Sequence, residues 1–167
     1  MKTIILFACL FIFACCAFGQ PSQVEKDFES KKASYTFEHF SEGEDANSGY
    51  DYLFYKSGTK IVKIRSIWSA TYSRQLRVED FYFDGDLSLY RKFTTASGLL
   101  NVLKKGKNAV LTPEEEFHFT SGKLTKWIVD GKPKSSTDPD WTKTEKEILD
   151  QAKTQRDYYK WLKEGKF

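Results

Sequence analysis

One pattern recurs three times in this chain: an aromatic residue, a glycine turn, and an aliphatic residue a few positions later. In the central copy, Asp84-Gly85 separates an aromatic run from an aliphatic one. A glycine at such a turn supplies the positive φ that a tight hairpin requires. The chain is therefore predicted to be a series of β-hairpins. The three copies occupy residues 52–64, 79–93 and 116–128, with turn glycines Gly58, Gly85 and Gly122.

Residues 1–19 have the pattern of a signal peptide. Lys2 supplies a positive charge, residues 4–17 form a continuous apolar run, and Gly19 ends a stretch with the small residues of a cleavage site. We expect cleavage after Gly19, which leaves one domain over residues 20–167, or 148 residues (167 − 19). A second interpretation is a bacterial lipoprotein anchored through Cys15, because the residues before Cys15 resemble a lipoprotein box.

Charge and composition narrow the classes of partner. The chain carries 26 Lys and Arg against 23 Asp and Glu, a net charge of +3 that falls to +2 without Lys2. This balance is too small to indicate nucleic-acid binding. No apolar run after residue 19 approaches the ~20 residues of a membrane span. All three cysteines lie in the leader, so the mature domain is expected to have no disulfide.

The segments outside the three hairpins predict two helices and a loop. Ser22 and Glu25 form a capping-box pattern that predicts a short helix over residues 22–32. Apolar residues at helical spacing predict a second helix over residues 144–163, packed on the sheet. Residues 41–49 are interpreted as a loop, and residues 99–111 fit neither a strand nor a helix clearly. The predicted fold is α+β and mainly β: a curved antiparallel meander of seven or eight strands.

Regular pairing from the first turn assigns side chains to faces. With Ser57-Gly58 as a two-residue turn, Tyr52 lies opposite Lys63 and Tyr50 lies opposite Arg65. The same counting gives the sheet one apolar core face, which includes Trp68, and one face of a different character. That second face is predicted to bind a ligand through eight residues: Tyr50, Tyr52, Lys63, Arg65, Tyr82, Tyr90, His118 and Trp127.

Tyrosine and tryptophan interleaved with cations suit hydrogen bonding and stacking with a ligand. The predicted function is therefore an exported, non-enzymatic binding or interaction module for a glycan, peptide or protein of the cell envelope. An alternative for the same face is that the C-terminal helix simply covers it. Two alternative functions are a periplasmic enzyme that uses His118 with a carboxylate, and a structural component of the envelope.

No motif of a catalytic or metal site supports a more specific chemistry. His39 and His118 are the only histidines, and neither has a second ligand at metal-binding spacing, so no metal or other cofactor is expected. Glu114-Glu-Glu116 precedes a strand and is interpreted as a solvated acidic edge. A catalytic carboxylate pair normally comes from separate elements that face one cleft.

The hairpin motifs resemble those of a known group. Tyr82-Phe-Asp-Gly-Asp-Leu87 and Phe117-His-Phe-Thr-Ser-Gly-Lys-Leu-Thr-Lys-Trp127, followed by a closing helix, are similar to motifs in a group of uncharacterised small secreted bacterial proteins. Those proteins are built from repeated aromatic/Asp-Gly hairpins, and the resemblance covers residues 50–165. It implies a hairpin fold and export, and it transfers no activity.

Overall fold

The computed structural model describes residues 21–45, 48–70, 72–107, 109 and 111–165. The predicted signal peptide and Cys15 lie outside these ranges. Within them, no helix is long and apolar enough to span a bilayer. The helices are α1 (Gln23–Lys31), α2 (Leu100–Lys104) and α3 (Trp141–Lys163). The strands are β1 (Thr36–Asp45), β2 (Ser48–Ser57), β3 (Lys60–Ala70), β4 (Gln75–Asp84), β5 (Asp86–Ala96), β6 (Glu115–Thr120), β7 (Lys123–Val129) and β8 (Lys132–Pro133).

The eight strands form one antiparallel sheet in chain order, from β1 at one edge to β8 at the other. Each strand pairs with its neighbours in sequence, as hairpin connections require. The predicted mainly-β meander with a helix near each end is therefore confirmed. The turn glycines adopt the expected left-handed conformation, with φ of +60° at Gly58, +75° at Gly85 and +72° at Gly122.

Each of the three hairpins with a glycine turn contains one β-bulge just after that turn, which the regular-pairing prediction lacks. In β3 the extra residue is Val62, since Tyr55 pairs with Lys63 while Lys56 pairs with Ile61. Equivalent shifts leave Ser88 unpaired in β5 and Thr125 unpaired in β7. A one-residue bulge moves all later side chains of that strand to the other face.

The bulge therefore overturns the predicted register of the first hairpin. Tyr52 pairs with Ser66 rather than Lys63, and Tyr50 pairs with Trp68 rather than Arg65. The turn itself also differs, because Ser57 pairs with Lys60.

Helices cover both faces of the sheet and create two cores. We name the faces A and B. On face A, Ile148, Ala152 and Leu162 of α3 pack against a cluster that includes Phe54 and Phe81. On face B, α1 and α2 contribute Phe28 and Leu103 to a second cluster. The sheet is thus the middle layer of three. The second cluster is centred on Leu53, Ile67, Leu76, Val78 and Leu89.

Helix α3 runs across the strands of face A. Near its start, the Glu145 carboxylate accepts the backbone N–H of Leu124 at the beginning of β7, at 2.8 Å. Near its end, the Tyr158 hydroxyl donates to Glu42 on β1. The helix begins at Trp141, three residues before the predicted start, with Asp140 as its N-cap residue.

Three other local predictions meet different outcomes. The capping box of α1 is confirmed, since Ser22 and Glu25 each accept the other's backbone N–H. The predicted loop at residues 41–49 is wrong, because β1 continues to Asp45 and β2 begins at Ser48. Residues 97–104 form a short helical segment, which places Leu103 in the core of face B.

Candidate functional site

The eight residues predicted to share one binding face lie on both faces of the sheet. The bulges after the three turns cause this separation. Each bulge adds one residue to the second strand of its hairpin, so the side chains beyond it lie on the opposite face from the one predicted. The prediction of a single face is therefore wrong. Face A carries Tyr50, Tyr52, Tyr90 and Trp127, and face B carries Lys63, Arg65, Tyr82 and His118.

Tyr90 and Trp127 lie in the core beneath α3. The ring of Phe117 lies between theirs, with its centroid 5.5 Å from each. The Tyr90 hydroxyl donates to Glu79 at 2.9 Å, and Glu79 also accepts from Gln151 of α3 at 2.9 Å. Burial, reinforced by the Glu79 charge, raises the pKa of Tyr90 well above its usual value. These rings hold the helix on the sheet.

On face B, the carboxylate of Asp80 neutralises two of the predicted ligand-binding cations. Asp80 is 1% exposed, with Lys63 Nζ 2.9 Å from one oxygen. Arg65 donates to both carboxylate oxygens at 2.5 Å, and Lys63 also donates to the Tyr82 hydroxyl at 2.7 Å. Burial alone would raise the pKa of Asp80, but the two cations hold it well below its usual range. Burial lowers the pKa of Lys63 to about 8.

Helix α1 closes over this buried group. The Phe28 ring lies 4.9 Å from Lys63 Nζ and packs edge-on against Tyr55 and Tyr82, with centroids 5.2 and 5.5 Å away. Edge-to-face rings and a cation over an aromatic face are both favourable arrangements. Lys63 and Tyr82 are therefore used to hold α1 on the sheet.

Glu116 is not the solvated edge residue that its acidic neighbours suggest. It is 8% exposed, accepts from Arg91 and contacts His118 Nε2. Arg91 also donates to Glu25 of α1. Burial would raise the pKa of Glu116, but His118 and Arg91 lower it. Residues 116 and 118 point to the same side of β6, so the histidine–carboxylate pair follows from strand alternation.

A second histidine–carboxylate group joins β1, β2 and α2. Asp51 lies 2.8 Å from His39 Nε2, accepts from the Ser41 hydroxyl at 2.5 Å and pairs with Lys104 at 2.9 Å. A Ser-His-Asp triad requires the serine and the aspartate to face different ring nitrogens. Here Ser41 and Asp51 both face Nε2, the serine at 3.2 Å. The arrangement is a structural clamp, and no group of three potential metal ligands occurs in the described ranges.

The accessible aromatic surface of face A lies beside α3. Cross-strand pairing aligns Tyr50, Trp68, Arg77 and Thr94 in a row over β2, β3, β4 and β5. Trp68 and Tyr50 are half-buried, whereas Arg77 is exposed. The guanidinium of Arg77 lies 5.3 Å from the centre of the Trp68 ring. Neighbouring strands are separated by ~4.8 Å, so the row spans about 14 Å.

Helix α3 supplies a wall to this row. The Tyr158 ring packs edge-on against Tyr52, with centroids 5.0 Å apart, and stacks on Trp161 at 5.3 Å and 19°. Trp161 is 38% exposed. We call the resulting surface the aromatic shelf. It consists of Tyr50, Trp68, Arg77, Tyr158 and Trp161.

Only Tyr50 of the aromatic shelf is among the residues predicted from the sequence. Regular pairing assigns Trp68 to the core face, and the bulge at Val62 moves it to the same side as Tyr50. Tyr158 and Trp161 carry a recognisable signal, since they are three residues apart in a predicted helix and so lie on one side of it. Compared with known proteins, the chain matches no protein-family model, no curated protein and no solved structure.

Proposed function

We propose that this protein is an exported, non-enzymatic interaction module that binds a protein of the cell envelope through the aromatic shelf. The observation that carries the proposal is the row Tyr50–Trp68–Arg77, which α3 borders without covering. Export is supported by the signal-peptide pattern of residues 1–19.

The residue types of the shelf favour a protein partner. Tryptophan, tyrosine and arginine are the residues most enriched among interface hot spots, because they bury a large area and keep a polar group for hydrogen bonding. Trp161 adds an aromatic group that is 38% exposed at the rim. In contrast, Lys63 and Arg65 pair with the buried Asp80 on the other face, and Lys63 also binds Tyr82 and packs on α1, so these residues are not part of this proposal.

The test compares shelf variants with a matched control. Mature protein from residue 20 onward is immobilised and exposed to envelope extract, and the bound proteins are quantified for wild type, Trp68→Ala and Trp161→Ala. Phe37→Ala is the control, because Phe37 is 39% exposed and lies on face B. Truncation of a hot-spot residue to alanine costs about 2 kcal/mol or more of binding free energy, which corresponds to a roughly thirtyfold weaker affinity.

We expect both shelf variants to lose the partner and Phe37→Ala to retain it. Equal recovery by all four proteins would exclude the shelf as the binding site. Recovery of a polysaccharide in place of a protein would show that the ligand is a glycan.

An enzymatic role is a second candidate, because His118 and Glu116 are in contact on face B. The carboxylate also binds Arg91, which makes it better suited to orient the histidine than to accept a proton. A panel of chromogenic ester and glycoside substrates tests this candidate. Turnover by wild type that is lost in His118→Ala would support it, and equal rates for the two proteins would contradict it.

A further inference from the structure

A concave surface lies on the opposite side of α3 from the aromatic shelf. It is a cleft of about 900 Å³ between α3 and the turns of the three hairpins with glycine turns. We call it the tip cleft. On its helical wall lie Leu149, Lys153, Arg156 and Lys160, which recur at helical spacing along one side of α3. From Leu149 to Lys160 the wall extends about 16 Å, at 1.5 Å per residue.

The floor of the tip cleft is apolar. Ile61 and Phe83 of the sheet and Leu149 and Ala152 of α3 all line it. Arg156 lies with its guanidinium 5.2 Å from the Phe83 ring centre and donates to the Gly85 carbonyl at 3.2 Å. This contact fixes the middle of the helix against the central turn.

The rim carries charges in an ordered pattern. Asp84 and Asp86 are exposed on either side of the central turn. Lys153 lies one helical turn before Arg156, toward β7, and Lys60 lies at the first hairpin turn, toward β1. Neither lysine forms an ion pair in the described part of the chain. Lys160, in contrast, pairs with Asp157 at 3.0 Å. Asp157 and Lys160 pair with each other, and Arg156 is held by the Gly85 carbonyl, so the other charges of the rim are, from β7 toward β1, a cation, two acids and a second cation.

We propose that the tip cleft binds an extended peptide segment with the pattern acidic–apolar–basic–apolar–acidic. Alternate side chains of an extended segment point to opposite sides. The two apolar side chains therefore meet the floor while the three charged ones meet the rim. The first and fifth residues of such a segment lie about 13 Å apart at 3.3 Å per residue, so the segment fits along the helical wall. The acidic side chains pair with Lys60 and Lys153, and the basic one pairs with Asp84 or Asp86.

The test uses two capped, fluorescently labelled peptides, Glu-Leu-Lys-Leu-Glu and its charge-reversed counterpart Lys-Leu-Glu-Leu-Lys. Fluorescence anisotropy with the mature protein is expected to give at least tenfold tighter binding of the first peptide. The double variant Lys60→Glu/Lys153→Glu should reverse this preference. Lys126→Glu is the control for charge reversal at a single lysine, because it lies at an exposed position on face B and should leave the preference intact.

Circular dichroism confirms that each variant is folded before binding is measured. Trp68→Ala should bind the first peptide as wild type does, because the aromatic shelf lies across α3 from the tip cleft. Equal affinity for the two peptides, or no binding of either at millimolar concentration, overturns the proposal. Displacement of the peptide by dodecanoate without any peptide charge preference also overturns it, since the cleft would then be a site for anionic amphiphiles.

Discussion

Replacing Asp80 by alanine is expected to destabilise the protein by about 3–5 kcal/mol, the typical cost of removing one partner from a buried ion pair. Asp80 is 1% exposed and provides the only carboxylate bound to both Lys63 and Arg65 in the described part of the chain. Without it, the Lys63 ammonium, whose side chain is 5% exposed, keeps its desolvation cost and loses the charge that offsets it.

Most of the stability lost in Asp80→Ala should come from the two cations that are left without a partner. The double variant Lys63→Met/Asp80→Leu removes the most buried cation together with its partner. It should therefore be more stable than Asp80→Ala, although the latter changes fewer residues. Glu147→Ala is the control, because Glu147 faces Lys143 at 3.9 Å with both side chains exposed. Such exposed pairs contribute little, so this variant should unfold as wild type does.

Urea unfolding followed by far-UV circular dichroism measures these differences. A total stability of about 5–15 kcal/mol is usual, so Asp80→Ala leaves a weakly folded protein. Asp80→Asn keeps hydrogen-bonding capacity and provides a milder variant that still lacks the charge. If Asp80→Ala and Asp80→Asn both lower the free energy of unfolding by less than about 1 kcal/mol, the reasoning is refuted. Such a result would mean that the two cations do not depend on this carboxylate.

Three further predictions concern the turns, α1 and alkaline pH. Gly85→Ala should cost about 1–2 kcal/mol in urea unfolding, because φ is +75° there, while Gly98→Ala, which has open space and no positive φ, should cost nothing. Phe28→Ala should cost about 3–5 kcal/mol and accelerate hydrogen exchange throughout α1; unchanged exchange would show that α1 is held by other contacts. Stability should rise from pH 8 to about 10, because burial lowers the Lys63 pKa to about 8 and the native state loses this proton before the unfolded chain does. It should fall at higher pH, because burial raises the pKa of Tyr55 to about 12 and the unfolded chain ionises first. The Lys63→Met variant should lose the increase in stability from pH 8 to about 10 and keep the decrease at higher pH. An increase that persists in this variant would have to come from another titrating group.

The architecture could be predicted from the sequence because its signals are local. A glycine between two strand-like runs specifies a hairpin whatever the register of the strands, and three such hairpins in succession specify a meander. The capping pattern at Ser22 likewise depends on residues only three positions apart. The start of α3 at Trp141 is harder to predict, because Thr142-Lys-Thr-Glu145 and Thr144-Glu-Lys-Glu147 both have the spacing of a capping box and favour a later start.

The proposed binding surface could not be predicted, because the faces of the sheet depend on one extra residue in each hairpin with a glycine turn. Successive side chains of a strand point to opposite faces of the sheet, so one unpaired residue moves all later side chains of that strand to the other face. In two hairpins the extra residue is held by a side-chain bond across the strands. Ser88 donates to the Tyr82 carbonyl at 3.0 Å, and Thr125 donates to that of His118 at 3.1 Å. A hydroxyl residue three positions after the turn glycine is therefore a signal that improves such predictions.

The path of α3 is the second feature that periodicity does not reveal. The spacing of Ile148, Ala152 and Leu162 predicts which side of the helix is buried, but not which part of face A it covers. That path leaves Trp68 accessible and buries Trp127.

The central claim, binding through the aromatic shelf, is tested most directly by oxidative footprinting of the mature protein with and without envelope extract. Mass spectrometry measures oxidation at Trp68, Trp161 and Phe37. We predict that the extract reduces oxidation at Trp68 and Trp161 and leaves Phe37, on the other face, unchanged. Protection of Phe37 with undiminished oxidation of both tryptophans would contradict the account.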